Sequence, residues 1–533
     1  MSERNRQSES LKGELEWQPE YSPWIIAMTV MIATFMVVLD TSIANVALPH
    51  IAGNLSAGID ESTWVLTSYL ASSAIILPLS GWLTSLFGRK RFYMACVALF
   101  VGSSFLCGLA PDLRSLVVFR ILQGIGGGSM QPISQAILVE SFPRAKRGMA
   151  MAIYAMGVVV APIIGPTVGG WITDSYSWRW LFFINVPIGA ISLLMASPIV
   201  SDPPYLIRRS LRTLKIDYIG LALLSVGLGA LQIVLDKGQR EDWLESRFIV
   251  NLLVIGLVSL VAMVIWELRQ EQPVVELRLL KERNFAISTL VMFTLGFVLF
   301  GSTVLIPIFL QTQLGYTALL SGLVLSPGGL VTLLALPLVG RLITRFEARW
   351  LVVVGVLASS VALFDMARFN LQIDFWKPAY ARMVQGFGMA FLFVPINTMA
   401  FHFIPREKTN LAAGLLNLAR NIGGSCGIAC VATMLARHAQ VHQNYLIGHL
   451  SPLNSTFQTA TQGATAFLAA QGTPLPLAST QAQALLYGAV QRQASMLSFL
   501  DVVRALGVIF LLVIPLIFLM KKAGSQEGPA VVH

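Results

Sequence analysis

Fourteen apolar runs, each long enough to cross a membrane as a helix, follow one another along this chain of 533 residues. A bilayer core of about 30 Å is crossed by about 20 apolar residues in helical form. The runs lie near residues 24–48, 63–85, 92–110, 115–139, 149–172, 180–200, 217–235, 248–266, 285–310, 319–344, 350–369, 377–402, 411–436 and 499–520. Hydrophobic residues make up 55% of the chain and charged residues only 12%, against about 25% in soluble proteins. The predicted fold class is therefore an all-α polytopic membrane protein.

The basic residues are concentrated in alternate connections between these runs, and they give the chain a net charge of +10. Clusters lie at 89–91, 144–147, 208–215 and 278–283, whereas the intervening connections hold fewer Lys and Arg residues. Connections rich in Lys and Arg stay in the cytoplasm. We therefore expect both termini to be cytoplasmic and the protein to lie in the inner membrane. Because the charge is divided among short loops, no nucleic-acid partner is expected.

Two short patterns occur twice in the chain, each with an offset of 262 residues. Arg-x-x-Gln-Gly at 120–124 returns at 382–386, and Pro-Arg-x-Lys at 143–146 returns at 405–408. Both repeats are explained by two six-helix halves related by duplication, with two extra helices between them. Parallel halves around a central site are a transporter architecture.

The spans and their connections predict a linear organisation of the chain. It comprises a cytoplasmic tail (1–23), a six-helix bundle (24–200), a cytoplasmic linker (201–216), two extra transmembrane helices (217–266), a partly amphipathic linker (267–284), a second six-helix bundle (285–520) that includes a long outer loop (437–498), and a second cytoplasmic tail (521–533). Apolar patches in the outer loop are too short to span the membrane, so we expect them to form surface helices.

The uncharged stretch 157–170 places small residues every fourth position, so that they share one face of a helix. Its small residues and prolines are Gly157, Ala161, Pro162, Gly165, Pro166, Gly169 and Gly170. In water such a helix would be poor, but in lipid small residues allow close packing and proline is tolerated. We expect the helix to be bent and its small face to form a gate at the interface between the two halves.

Five segments together resemble signatures of the major facilitator superfamily, and specifically of its fourteen-span drug:proton antiporters of the EmrB/QacA type. They are 39–49 in the first span, the loop 81–91 with Gly81, Gly88, Arg89 and Lys90, the pattern at 120–124, the stretch 157–170, and 178–187. The resemblance covers 24–520. It implies the major facilitator fold, with two six-helix bundles plus two extra transmembrane helices.

Three positions depart from the family pattern. Ser85 and Leu86 stand where the loop usually has an Asp and a basic residue. The charge contacts that close the cytoplasmic side are therefore expected to differ here. Ala161 replaces a usual Gly, a mild change that keeps the helix face small.

The resemblance also implies a function, which is proton-coupled efflux of lipophilic or cationic compounds by alternating access. Export of one specific metabolite or siderophore is an alternative, and import by the same fold is a second, since fold alone does not determine function. Exporters of this type in bacteria with two membranes pass substrate to a periplasmic adaptor and an outer-membrane channel. The outer loop is a candidate contact for that adaptor.

Ionisable residues deep in a membrane are costly and usually functional. Asp40 lies about eight residues from the outer end of the first span, or roughly 12 Å, and Arg120 about five residues, or roughly 8 Å, from the same end of the fourth. The two side chains are thus predicted to meet. Burial favours the protonated carboxyl and a nearby arginine favours the carboxylate, so a change in their separation would bind or release a proton. The alternative is a static pair that orients two helices.

Four polar residues inside spans are candidates for lining the substrate cavity: Asn45, Gln123, Asn417 and Arg420. No enzymatic activity, cofactor or metal site is expected. The glycines at 124–128 follow no predicted strand, so the dinucleotide fingerprint fails. The four cysteines lie in apolar runs and are interpreted as small hydrophobic residues.

Overall fold

The computed structural model describes residues 19–57, 59–143, 146–202, 217–270, 273, 275–405, 408–448, 450 and 454–521. Fourteen long helices in this part of the chain correspond to the fourteen apolar runs. They are α1 (Pro23–Asn54), α2 (Trp64–Phe87), α3 (Arg89–Leu109), α4 (Leu113–Ser141), α5 (Arg147–Ser175), α6 (Asn185–Ile199), α7 (Tyr218–Lys237), α8 (Arg247–Arg269), α9 (Arg283–Leu314), α10 (Ala318–Leu342), α11 (Ala348–Met366), α12 (Trp376–Phe401), α13 (Thr409–Ile447) and α14 (Leu475–Leu511). The predicted linker 201–216 and both predicted tails lie mostly outside the described residues.

Thirteen helices among the described residues are long and apolar enough to cross a membrane. The remaining long helix, α4, has 29 residues but carries Arg120, Gln123, Gln135 and a run of glycines, which lower its hydropathy. It packs between α2 and α3, and its polar side chains are buried in protein. Contact with neighbouring helices rather than with lipid explains how α4 carries this polar content.

The two halves repeat one packing pattern. In the first half α1 packs on α5, and α4 packs on both α2 and α3; in the second half α9 packs on α13, and α12 packs on both α10 and α11. The last helix of each half, α6 or α14, contacts the first and third helices of its own half. The predicted architecture of two six-helix bundles in an all-α membrane protein is confirmed.

The halves meet chiefly through two helix pairs, α2 with α13 and α5 with α10, and also through α4 with α13 and α5 with α12. We define the basic end of the molecule as the end at which α2, α4 and α12 finish and α3, α5 and α13 begin. There, a Cβ built on Gly81 would lie 2.8 Å from the Cα atom of Leu411, and one built on Gly148 would lie 2.5 Å from the Ile343 side chain. The halves are therefore closed against each other at the basic end.

The two extra helices pack on each other, and α7 packs against the α2–α13 contact. The Thr67 hydroxyl of α2 donates a hydrogen bond to Asp236 of α7, and the Lys237 ammonium lies 4.4 Å from the centre of the Trp64 ring. Ser425 of α13 bonds to α7 as well. α7 thus covers the junction of the two halves, while most of the apolar surface of α8 remains exposed.

Beyond the end opposite the basic end, α13 and α14 continue as long helices of 39 and 37 residues. The outer helix (Ser455–Ala470) packs on α14. One of the apolar patches of the outer loop, residues 482–490, was expected to form a separate surface helix. It is instead part of α14, because no residue there breaks the helix. At the basic end, the predicted amphipathic linker contains the short helix Leu277–Lys281, with Leu279 buried and Arg278 exposed.

Candidate functional site

Asp40 and Arg120 form an ion pair in the interior of the first half. Asp40 is near the middle of α1, Arg120 is two turns into α4, and both side chains are at most 1% exposed. Arg120 Nη1 donates to Asp40 Oδ2 at 2.7 Å. The structure thus brings together the two residues for which the sequence predicts a contact.

Two amide side chains complete the surroundings of the carboxylate. Gln123 and Asn185 donate to Asp40 Oδ1 at 3.0 and 2.8 Å. Gln123, one turn after Arg120, also accepts a hydrogen bond of 2.7 Å from Arg120 Nη1. Asn185, at the start of α6, donates in addition to Ser104 Oγ of α3 at 3.0 Å. Side chains from α4 and α6 therefore converge on one carboxylate of α1, and Ser104 of α3 holds the α6 amide.

Arg120 is held by further contacts that fix its orientation. Its Nε donates to the carbonyl of Val65 on α2 at 3.0 Å, and its guanidinium lies 4.4 Å from the centre of the Tyr69 ring. Aromatic faces attract a desolvated cation. Because every described partner of Asp40 is a donor, the arrangement fits the ionised carboxylate, which is an acceptor only.

The second half contains the same arrangement without the acid. Arg382 Nη1 donates to Gln385 at 2.7 Å, and Gln385 Nε2 donates to Ser302 Oγ at 3.0 Å. Ser302 lies 262 residues after Asp40, so the offset of the repeat places it in the equivalent position. A hydroxyl can satisfy the glutamine but cannot neutralise the arginine.

A hydrogen-bonded bridge of buried amides joins the halves at the centre of the molecule. Gln135 of α4 donates to Asn397 of α12 and accepts from Asn417 of α13. The Tyr154 hydroxyl of α5 donates to Asn417 Oδ1 at 3.3 Å. Gln135 and Asn397 are themselves 262 residues apart, so the bridge lies on the axis that relates the repeats.

Two of the candidate cavity residues lie at this centre. Asn417 belongs to the bridge, and Arg420 Nη2 donates to Gln131 of α4. Both are 3% exposed, so in this conformation they connect the halves instead of facing an open cavity. Gln123 belongs to the Asp40 cluster inside the first half, and the side chain of Asn45 lies outside the described residues.

The small face of α5 packs inside the first half, so the prediction that it lies between the halves is wrong. A Cβ on Gly165 would lie 2.3 Å from Ser42 Oγ of α1, one on Gly169 would lie 3.1 Å from Ile43, and one on Gly157 would lie 2.1 Å from Met31. Ala161 is fully buried, whereas a Cβ on Gly170 would meet nothing within 4 Å. The opposite face of α5 meets α10.

A serine on α1 compensates for a proline of this stretch. In a helix the N–H of residue 166 would bond to the carbonyl of Pro162, but Pro166 has no N–H. Ser42 Oγ donates to that carbonyl at 3.4 Å. Proline is thus tolerated here because a neighbouring helix satisfies the freed carbonyl, and α5 runs without a break from Arg147 to Ser175.

The loop motif at the basic end forms a buried ion pair within the first half. Gly88 has a φ of +80°, a conformation that residues with a side chain rarely adopt, and it connects α2 to α3. Arg89 binds Glu140 of α4 through two hydrogen bonds of 2.7 and 2.9 Å, and the Lys90 backbone N–H donates to Asp202 at 2.8 Å. Glu140 of α4 thus supplies a buried acid next to a loop that has Ser85 in place of the usual Asp.

Comparison with known proteins identifies the family. Residues 30–428 match the Major Facilitator Superfamily. The chain belongs to this superfamily. It is 36% identical over 506 residues to the fatty acid resistance protein FarB of Neisseria gonorrhoeae, which covers 94% of this chain and 97% of that protein. It is 39% identical over 436 residues to the multidrug export protein EmrB of Haemophilus influenzae, covering 82% and 85%.

A solved structure shares the fold of this superfamily member at low identity. The human organic anion transporter MFSD10 superposes with a TM-score of 0.60 at 12% identity, over 93% of this chain and 100% of that one. At such identity the likeness concerns the fold alone. A multi-pass membrane protein of a transporter superfamily follows from the family match and the thirteen apolar helices.

Several residues of this superfamily member's candidate site were not found from the sequence. Asn185 falls within the motif 178–187 without being a predicted site residue, and the sequence does not indicate Gln131, Gln135, Tyr154 or Asn397 as site residues. One signal was available for two of them, because Gln135 and Asn397 differ by the same 262 residues as the recognised repeats. Carboxamides at equivalent positions of two duplicated halves indicate a contact on the axis between those halves.

Proposed function

We propose that this protein is a proton-coupled exporter of lipophilic or cationic compounds that works by alternating access across the inner membrane. The relatives named as multidrug export proteins support export of several compounds. The single observation that carries proton coupling is the buried Asp40 carboxylate, held by donors from Arg120, Gln123 and Asn185. The basic end faces the cytoplasm in this proposal, and both termini lie there.

Proton binding at Asp40 changes the balance of this cluster. As a carboxylate, Asp40 neutralises Arg120 and accepts three hydrogen bonds, one on Oδ2 and two on Oδ1. As a carboxylic acid it carries a proton that needs an acceptor, and Arg120 loses its counter-charge in a buried site. Leaving a buried charge without its partner costs about 3–5 kcal/mol. The protonated state therefore favours a rearrangement of α1 against α4, and this couples the proton to the conformation.

The conformation described above is closed toward the cytoplasm in this proposal. The glycine contacts between α2 and α13 and between α5 and α10 close the basic end, and the Gln135–Asn397 bridge closes the centre. Substrate enters from the cytoplasm or the inner leaflet only after these contacts separate. Asn417 and Arg420 then become cavity-lining residues, because they leave their partners on α4.

The gating role of α5 takes a different form from the one expected from sequence. Its small face binds α1, so movement of α1 on protonation of Asp40 would be transmitted to α5 through Ser42, two residues after Asp40. Its other face binds α10 of the second half. In this proposal α5 connects the protonation site to the contact between the halves.

Export across two membranes requires partners, which we propose to be a periplasmic adaptor and an outer-membrane channel. The outer helix and the adjoining turns of α13 and α14 supply a surface for the adaptor. Phe467, Tyr445, Leu485 and Tyr487 are each between 48% and 68% exposed there. If serine replacements at Phe467 and Leu485 leave co-purification of an adaptor unchanged while the protein remains folded, this contact is wrong.

A narrower substrate range is favoured by one relative. The fatty acid resistance protein matches over nearly its whole length, so fatty acids belong in the substrate panel beside dyes and cationic drugs. Export of a single metabolite or siderophore would appear as resistance to one compound class only. Import would appear as transport in the opposite direction.

The proposal is tested in inverted membrane vesicles with an acidified lumen and a fluorescent cationic dye. We expect dye to accumulate in the lumen, and we expect Asp40→Asn to abolish this accumulation without loss of membrane insertion. Asp365→Asn, which changes an acid on α11 outside the cluster, is the matched control and should retain transport. Dye uptake by right-side-out vesicles under an inward proton gradient, with none in inverted vesicles, would show an importer.

A further inference from the structure

Two histidines and an aspartate form a cluster toward the end opposite the basic end, where the transport site does not use them. His438 and His442 lie one turn apart on α13, and Asp501 lies on α14. Asp501 Oδ2 is 3.2 Å from His438 Nδ1 and 2.7 Å from His442 Nε2. One carboxylate oxygen thus faces two imidazole nitrogens, and these three atoms lie within 4.8 Å of one another.

We propose that His438, His442 and Asp501 form a binding site for a divalent transition-metal ion of the zinc class. Zinc binds imidazole nitrogen and carboxylate oxygen at about 2.0–2.2 Å in tetrahedral geometry. Ligand atoms around such an ion lie about 3.3 Å apart. The distances of 2.7 and 3.2 Å need to open by about 0.6 and about 0.1 Å to admit the ion, and water supplies the fourth ligand.

The donor set selects among metals. Imidazole suits Zn²⁺, Cu²⁺ and Ni²⁺, whereas Mg²⁺ and Ca²⁺ prefer sites made of oxygen ligands. The sequence alone indicated no such site, because Asp501 lies 63 positions after His438. Only the packing of α14 on α13 brings the third ligand to the pair.

The two helices present the ligands on a rigid frame. Toward the membrane, Ser498 Oγ donates to the Leu435 carbonyl at 2.7 Å; further out, Gln443 donates to Tyr487 Oη at 3.0 Å. On α13, His438 and His442 lie between Leu435 and Gln443, and on α14 Asp501 follows Ser498 by less than one turn, so these contacts fix the separation of the two helices beside the cluster. Sites on helices held in this way are precise enough to bind metal.

Access and charge are both compatible with an ion. The side chains of His438, His442 and Asp501 are 41%, 25% and 29% exposed. Arg504 Nη1 lies 3.5 Å from the other oxygen of Asp501, and its side chain is 56% exposed. The arginine therefore competes for the carboxylate, yet it is free to move aside toward the surface when a cation binds.

A bound ion would join α13 to α14 at the base of the outer segment, residues 448–474. The orientation of this segment relative to the bundles would then depend on the metal. This inference does not rest on the proposed transport function, since it concerns only the geometry of the three ligands.

The test is direct metal binding by the full-length protein, purified through a tag without histidine and stripped with a chelator. We expect the protein to bind one equivalent of Zn²⁺ in competition with a chromophoric chelator, and Co²⁺ to give the visible absorption of a tetrahedral site. His442→Gln, His438→Gln and Asp501→Asn should each weaken Zn²⁺ binding at least tenfold. A protein that binds no Zn²⁺, or variants that bind it as the native chain does, would overturn the proposal.

Two further variants separate this site from other histidines and from misfolding. His402→Gln changes a histidine near the basic end and should leave Zn²⁺ binding unchanged. Arg504→Gln removes the competing cation and should strengthen Zn²⁺ binding several-fold, a gain that an unfolded variant could not show. Loss of Zn²⁺ binding in His402→Gln, or weaker binding in Arg504→Gln, would contradict the assignment.

Discussion

Asp40 and Ser302 hold equivalent positions in the two halves, and each accepts a hydrogen bond of 3.0 Å from the side-chain amide of the repeated glutamine. Each of those glutamines accepts a hydrogen bond of 2.7 Å from its arginine, Arg120 or Arg382. The arginine–glutamine pair is thus present twice, while the acid is present only in the first half. The repeat supplies a natural control for the proton-coupling proposal.

We expect removal of the acid to matter far more than removal of the hydroxyl. Asp40→Asn should lower proton-driven efflux at least about tenfold, since the neutral amide cannot gain or lose a proton in the cycle and leaves Arg120 without its counter-charge. Ser302→Ala, which removes one hydrogen bond from Gln385, should change efflux by no more than about twofold. Both rates are measured in proteoliposomes under an imposed pH gradient.

Counterflow distinguishes loss of coupling from loss of transport in the same variants. Exchange of labelled for unlabelled substrate without a gradient requires the conformational cycle but no net proton movement. Asp40→Asn should retain measurable exchange if Asp40 serves coupling. Loss of exchange together with a lower melting temperature would assign Asp40 to a static pair that holds α1 on α4.

The small face of α5 predicts a contrast between two neighbouring glycines. A Cβ on Gly165 would lie 2.3 Å from Ser42 Oγ and 2.6 Å from Ser42 Cβ, whereas one on Gly170 would meet nothing within 4 Å. Overpacking of a well-filled contact costs about 1–3 kcal/mol. Gly165→Ala should therefore lower both the melting temperature in detergent and the efflux rate, and Gly170→Ala should lower neither. Equal effects of the two substitutions would show that contact with α1 is not what the glycines serve.

The sequence was sufficient to predict the helices, the duplication and the Asp40–Arg120 contact. The contact was predictable because both residues lie at similar depth in neighbouring spans of one bundle. Depth along a helix follows from counting residues, but rotation about the helix axis does not. For this reason the spacing of Gly157, Gly165 and Gly169 showed that they share a face, while the neighbour of that face was assigned wrongly.

Side-chain pairings between different helices could not be predicted from the sequence either. Glu140 ends a span that has no other acid, and nothing in the loop motif indicates that Arg89 turns toward it. Asp501 lies an i, i+3 spacing from Arg504, so the local pair concealed its contacts with His438 and His442. Such contacts depend on which helices pack together, and the spacing of residues along one helix does not indicate its neighbours.

The Arg89–Glu140 pair predicts a strong asymmetry between single and double substitutions. The two side chains are 3% and 2% exposed and share two hydrogen bonds. Arg89→Met or Glu140→Met alone leaves one buried charge and should destabilise the protein by about 3–5 kcal/mol. Replacing both residues with Met removes both charges and should recover much of the loss in melting temperature. A double variant as unstable as the sum of the single ones would mean that the two residues act independently.

The central amide bridge predicts a measurable change in closure at the basic end. Gln135 binds both Asn397 and Asn417, so Gln135→Ala removes two contacts between the halves and Asn397→Ala removes one. A buried polar group left without its partner costs about 1–3 kcal/mol, and about 1 kcal/mol corresponds to roughly a fivefold change in the population of the closed state.

In a cysteine-free background, Leu411→Cys at the α2–α13 contact should therefore react faster with a thiol reagent in both variants, and fastest in Gln135→Ala. Thr398→Ala is the matched control, because among the described residues the Thr398 hydroxyl bonds to the Val394 carbonyl of its own helix. Since Gln135 and Asn397 share one hydrogen bond, the double variant should react no faster than about the Gln135 variant alone; fully additive effects would show that the two residues do not act through that bond.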